Sequence, residues 1–213
     1  MKKIFFLLII SLSSYYLFSD KEIENYVDEQ HNSIFGFIEQ NKNLLETDKD
    51  QFMLIFEEKF SSLIPPEEIS KRVMGKKIFL AANDEQRIRF NEKFKTTLLD
   101  AYSGALSEIG AASIKVVSHA HPLDKKTKKE RTDAALVTLK AEFSGRSFEL
   151  IYKMKKIGTN DKRQWKVVGI ILEGIDIVNV YRKQFRNLVN NSENIDQAIN
   201  LWDIKEDTID IEN

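Results

Sequence analysis

The spacing of apolar residues changes twice along this chain, and no other feature narrows its fold so much. From Lys21 to Ile109 they recur at helical spacing, from Ala112 to Leu172 at every second position, and after Asp176 at helical spacing again. Helices, then consecutive strands, then helices describe an α+β fold and not a βαβ repeat. The expectation is an antiparallel sheet of about four strands wrapped by N-terminal and C-terminal helices. One domain over residues 20–202 accounts for it: helical over 20–110, sheet over 112–172, helical over 176–202.

In the first helical region, Ile23, Val27, Ile34 and Ile38 share one side of a helix over 21–45. Phe52, Ile55, Phe56 and Phe60 define a second over 51–61, which Pro65-Pro66 stops. Pro66 followed by Glu67-Glu68 opens a third, because proline is tolerated in a first turn and acids suit that end of the helix dipole. Gly75 is expected to end it. Asn83 and Gln86 form a capping-box start for a helix over 84–109. Its stripe of Phe90, Phe94, Leu98, Tyr102, Leu106 and Ile109 ends at Gly110.

The strand region begins with Ile114-Lys115-Val116-Val117. Ala135, Val137, Leu139, Ala141 and Phe143 then share one face, and Phe148, Leu150, Tyr152 and Met154 alternate with polar residues after the Ser144-Gly145-Arg146 turn. The strand from Trp165 to Leu172 is apolar on both faces, which requires cover on both sides. Glu173-Gly174 turns the chain, and Asp176 caps a helix whose apolar side is Ile177, Val178, Tyr181, Phe185 and Leu188. A last helical piece over 195–202 precedes an acidic tail, 203–213.

The N-terminus reads as a secretory leader over 1–19: Lys2 and Lys3, an apolar run from Ile4 to Leu12, then Ser13 and Ser14, with cleavage near Ser19. The run falls short of the roughly 20 apolar residues a membrane span needs. Removing the leader takes two basic residues and no acid from a formal charge of −1, leaving −3. Such a balance argues against a nucleic-acid binder, which needs a basic footprint. The chain has no Cys, so an exported fold must rest on its hydrophobic core.

No catalytic constellation is legible, and the catalytic and metal assignments are none. The only histidines are His31, His119 and His121, and no Gly-rich phosphate loop is present. His119 and His121 have the i, i+2 spacing of a shared metal, but Pro122 follows and no third ligand is near, so exposed loop histidines are expected. Glu173 and Asp176 read as a turn acid and a helix cap. The run Lys125-Lys126-Thr127-Lys128-Lys129-Glu130-Arg131 reads as a solvated hairpin loop, with an anionic membrane surface or an acidic protein as its functional alternative.

Two blocks of residues resemble the MlaC (toluene-tolerance) family of periplasmic phospholipid-binding proteins. The first is Gly75 with Gln86-Arg87, Phe90, Phe94, Leu98 and Tyr102-Ser103-Gly104-Ala105-Leu106. The second runs from Trp165-Lys166-Val167 through Leu172-Glu173-Gly174-Ile175 to Asn179, Tyr181-Arg182 and Gln184-Phe185. Val168-Gly169 stands where the family often has Tyr-Asp, and Asp176 where it usually has Ser. The resemblance implies a periplasmic carrier without enzymatic chemistry, and without a cofactor beyond a glycerophospholipid cargo held in an apolar cavity. It implies partners of two kinds: an MlaD-type domain of an inner-membrane ABC transporter and an MlaA-type outer-membrane lipoprotein complex. The acyl-chain lining expected on this basis is Phe79, Phe90, Phe94, Leu98, Tyr102, Val137, Leu139, Phe148, Leu150, Tyr152, Ile171, Ile175, Val178 and Tyr181, with Arg182 placed to meet a phosphate or an acid such as Glu173. The competing reading is a periplasmic assembly or chaperone module that binds apolar protein segments; a small enzyme on the same fold is a third.

Overall fold

The computed structural model describes residues 14–108, 114–143, 145–159 and 162–203, with side chains described from residue 21 and not over 100–108 or at 143. The leader residues 1–13 and the acidic tail from 204 lie outside the described residues.

The first helical region divides into five helices. α1 spans Ser14–Gln40 and α2 Lys42–Thr47, where the sequence suggested one helix. The division falls at Asn41, which leaves helical geometry (φ −121°, ψ 22°) while its side-chain amide donates to the Phe37 carbonyl at 2.8 Å. A short polar side chain here competes with the helical ladder. α3 spans Lys49–Leu63, with Asp48 accepting from the Gln51 amide at 3.1 Å as its N-cap. Its Phe52, Phe56 and Phe60 are buried, and Phe52 packs on Phe37 of α1 with ring centroids 5.1 Å apart.

α4, Pro66–Ala81, runs past Gly75, which was expected to end it. The break is still there: Gly75 adopts φ 70°, ψ 160°, a conformation open essentially to glycine alone, and the helix resumes beyond it. Arg182 secures this kink from the far end of the chain. Its Nε donates to the Arg72 carbonyl at 2.7 Å, and its side chain lies 3.5 Å from the place a Cβ at Gly75 would occupy. A cation capping a carbonyl in the last turn before a break suits the helix dipole.

α5, Asp84–Glu108, begins with the reciprocal capping box that its sequence suggested. The Gln86 amide donates to Asn83 Oδ1 at 2.8 Å, and the Asn83 amide to Gln86 Oε1 at 3.0 Å.

The sheet is an antiparallel meander of five strands in sequential order: β1 Ile114–Ala120, β2 Ala134–Phe143, β3 Arg146–Ile157, β4 Gln164–Leu172 and β5 Ile175–Asp176. The fifth strand is the two-residue return of a tight hairpin. Glu173 (φ 47°) and Gly174 (φ 79°) supply the pair of positive φ angles that such a two-residue loop requires. Glu173 also bonds Glu149 of β3, its amide donating to the Glu149 carbonyl at 3.0 Å and its Oε1 accepting from the Glu149 amide. The turn is thereby tied to the sheet.

Register shifts interrupt two ladders, one at Val117 in β1 and one at Val168 in β4. Each extra residue reverses the side-chain alternation of its strand.

After β5 come α6, Ile177–Asn191, and α7, Ile195–Leu201. Asp176 caps α6 as expected, accepting from the Asn179 amide at 3.1 Å, and it also meets Lys153 Nζ of β3 at 2.5 Å. α6 packs against α4, and α7 against α5 and α6. Here Phe90, Phe94, Tyr181, Phe185 and Trp202 converge on one another, Phe90 and Phe185 with centroids 4.2 Å apart. At the opposite edge of the sheet α1 lies on β1.

Candidate functional site

Residues paired directly across antiparallel strands point to the same side, so the ladders sort the side chains of each face into rows. On the inner face the row Ala135, Met154 and Val167 is fully buried. The next row holds Val137, Tyr152 and Ile170, with His119 of β1 beside Val137. Then come Val116, Leu139, Leu150, Leu172 and Ile175 in a line across all five strands. Ile114, Ala141 and Phe148 make the last row.

Burial falls along this series. In the third row Leu139 is buried, while Val116, Leu150 and Leu172 are half-buried and Ile175 is 38 % exposed. In the fourth, Ala141 is buried between half-buried Ile114 and Phe148. One end of the inner face is closed, and the other presents contiguous apolar side chains that the described residues cover only in part. Half-covered apolar surface of this extent marks a ligand or partner site more often than a finished core.

Between the two ends sits a buried polar pair. His31 of α1 is 5 % exposed, and its Nε2 lies 3.2 Å from the Tyr152 hydroxyl. Burial pushes the His31 imidazole down to about 4 and the Tyr152 phenol up to about 12, so both are neutral at physiological pH. Phe35 and Tyr152 meet the imidazole edge-on, and its Nδ1 has no partner among the described residues.

The lining residues expected from sequence fall in several different places. Val137, Leu139, Phe148, Leu150, Tyr152 and Ile175 stand together on the inner face. Phe90, Phe94 and Tyr181 belong to the closed aromatic cluster with Phe185 and Trp202, and Val178 is buried on the same helix as Tyr181. Phe79 sits elsewhere, half-buried under the Arg87 guanidinium at 4.5 Å and Lys71 Nζ at 5.2 Å, with Arg87 Nε bonding its carbonyl at 2.9 Å. Ile171 points to the other face, opposite Ile151 and Asp176. Leu98 is buried on α5, and the side chain of Tyr102 lies outside the described residues.

Arg182 meets no acid among the described residues. It holds the α4 kink and bonds Asn179 Oδ1 at 3.0 Å. Ile114, Val116, Ile170, Leu172 and His31 are among the inner-face residues that sequence reasoning did not assign to the site. The bulge at Val168 explains Leu172: in a strand apolar on both faces, nothing in the pattern shows which parity faces inward.

The histidines expected in an exposed loop are half-buried and partnered. His119 Nδ1 meets Glu24 Oε1 of α1 at 2.8 Å, joining that helix to β1, and His121 Nδ1 meets the Ala134 carbonyl at 2.8 Å. They differ from the expectation because β1 continues to Ala120, three residues past its expected end. Among the described residues no three His, Asp or Glu side chains group as a metal site, and no helix is long and apolar enough to cross a membrane.

Comparison with known proteins places this architecture. The family model described as MlaC protein matches residues 28–203. The chain belongs to the MlaC family. Its relatives include the toluene tolerance protein ttg2D of Pseudomonas putida, 27 % identical over 171 residues that make up 79 % of this chain and 74 % of that one. Among solved structures, a phospholipid-binding protein from Ralstonia solanacearum, determined in complex with a phospholipid, superposes with a TM-score of 0.65. That match covers 83 % of this chain and 92 % of the other at 17 % identity, so it establishes a shared fold. The MlaC match runs from the second half of α1 through α7, including both the aromatic cluster and the half-buried end of the sheet.

Proposed function

We propose that this MlaC-family chain is a periplasmic phospholipid carrier. It holds the acyl chains of a glycerophospholipid against the half-buried apolar rows of the sheet and carries the lipid between an MlaA-type outer-membrane complex and an MlaD-type domain at the inner membrane. The observation that carries this reading is the row Val116–Leu139–Leu150–Leu172–Ile175, apolar across five strands yet open to solvent at its edge. A neighbour of the same fold that binds phospholipid supports it. Export by the N-terminal leader completes the reading.

The energetics suit a carrier. Withdrawing two acyl chains of about 16 carbons from water is worth over 20 kcal/mol at about 0.8 kcal/mol per CH₂. Against a bilayer the exchange is nearly neutral, so an oily wall with few polar contacts can both take and release the lipid. Binding is non-covalent and needs no cofactor.

Native mass spectrometry of the protein purified without detergent, followed by organic extraction, tests the reading. A stoichiometric adduct of phospholipid mass is expected. The half-buried position of Leu150 tolerates added volume, so Leu150→Trp should retain the fold and lose most of the adduct. An empty protein that stays empty after incubation with anionic and zwitterionic vesicles would overturn the carrier reading in favour of a module that binds apolar protein segments.

A further inference from the structure

The end of the sheet farthest from the half-buried rows carries a concentration of positive charge that lipid carriage by the inner face does not explain. The β1–β2 connection and the β3–β4 connection both emerge there, side by side: Ala134 pairs with Lys155, the Lys156 amide donates to the Asp133 carbonyl at 2.9 Å, and His121 lies 6.3 Å from Trp165. Residues 121–133 and 155–166 together hold ten Lys and Arg against four Asp and Glu, in a chain whose formal charge is −1. Two of the four acids are already engaged. Asp124 accepts from the Lys126 and Thr127 amides and the Thr127 hydroxyl, and Asp133 is paired with Arg131 at 2.7 Å.

The lysines project from a built hairpin. Leu123 and Glu130 form a bridge, the Asp124 amide donates to the Lys129 carbonyl at 2.7 Å, and the Lys128 amide to the Asp124 carbonyl at 2.9 Å. Lys128 turns the chain with φ 59°. Lys125, Lys126, Lys128 and Lys129 are all exposed at the tip, and Leu123 beside them is 59 % exposed. A convex tip of lysines, compact point charges without the planar fork of arginine, suits a diffuse field of anions better than one defined carboxylate. An exposed leucine next to clustered lysines adds an apolar group at the depth of an interface.

We infer that this hairpin docks the protein on an anionic phospholipid surface, the four lysines at the phosphate plane and Leu123 in the interfacial layer. Docked in this way, the protein keeps the half-buried end of its sheet away from the membrane and free for a protein partner. Neither the charge cluster nor its docking depends on lipid being held by the inner face.

Cosedimentation of the purified protein tests this, using vesicles of phosphatidylglycerol and phosphatidylcholine (about one to three) beside pure phosphatidylcholine. Binding to the anionic vesicles alone is expected, lost on raising salt from about 0.05 M to about 0.5 M. The variant K125Q/K126Q/K128Q/K129Q should bind at least about tenfold more weakly, with its melting temperature and any co-purified phospholipid unchanged. Equal binding of variant and wild type, or equal binding to both vesicle types, overturns the proposal. Failure to sediment with anionic vesicles also overturns it and leaves the lysines to an acidic protein. Retained phospholipid is read separately by extraction, so failure here and failure of the carrier reading are distinguishable.

Discussion

Two apolar regions of this molecule look alike in sequence and differ in what finishes them. At the α5–α6–α7 junction, Phe90, Phe94, Tyr181, Phe185 and Trp202 are all at most 2 % exposed and meet ring to ring. At the half-buried end of the sheet, Val116, Leu150, Leu172 and Ile175 form an equally apolar row that the described residues cover only in part. Aromatic rings on three elements close the first against one another. The second is made of side chains from neighbouring strands, which lie parallel and cannot fill the space above themselves. A region that completes itself is core, and one that does not is where a ligand can add contacts.

The largest test of this contrast is Phe185→Ala. With Phe90 packed 4.2 Å away, the truncation should leave a cavity costing about 3–5 kcal/mol, read as a lowered midpoint in denaturant unfolding. A cost below about 1 kcal/mol would mean the cluster is loosely packed and the contrast is wrong.

The buried His31–Tyr152 pair beside the open row is tested by pH. Because the folded His31 holds its proton only below about 4, against 6.5 when unfolded, the unfolded state binds more protons between those values. The contribution of His31 is therefore fully present above pH 6.5 and declines as pH falls toward 4, by up to about 3 kcal/mol. His31→Phe removes the titration, so the stability of the variant relative to wild type should rise by that order between pH 7 and pH 4. A difference that stays constant across the range would show that the imidazole reaches water.

The smallest effect is expected at the open end. Leu150→Ala removes a side chain already half in solvent and should cost under about 1.5 kcal/mol, while weakening phospholipid retention in the extraction assay. A loss of stability matching that of Phe185→Ala would reassign the row to core.

Much of the fold was legible because it depends on local chemistry. The Asn83–Gln86 capping box, the Asp176 cap and the alternation of Ala135, Val137, Leu139 and Ala141 need only near neighbours in sequence, and all are found as read. The splitting of the first helix at Asn41 and the continuation of α4 past Gly75 were not. Each depends on which of two local options wins, and at Gly75 the Arg182 guanidinium supports the break through the Arg72 carbonyl, 110 residues from it.

The site was less legible. Phe90, Phe94 and Tyr181 carry the same apolar stripe whether they wall a cavity or fill it, and only the arrival of Phe185 and Trp202 decides. Ile171 and Leu172 exchange faces because one extra residue at Val168 shifts the register. By itself, then, the sequence determined the order and kind of the elements, their caps and the charged hairpin tip, since helix and strand periods, turns and exposed charge are properties of adjacent residues. Only the tertiary structure decided which apolar surface is closed and which stays open, because burial is settled by what packs from elsewhere in the chain.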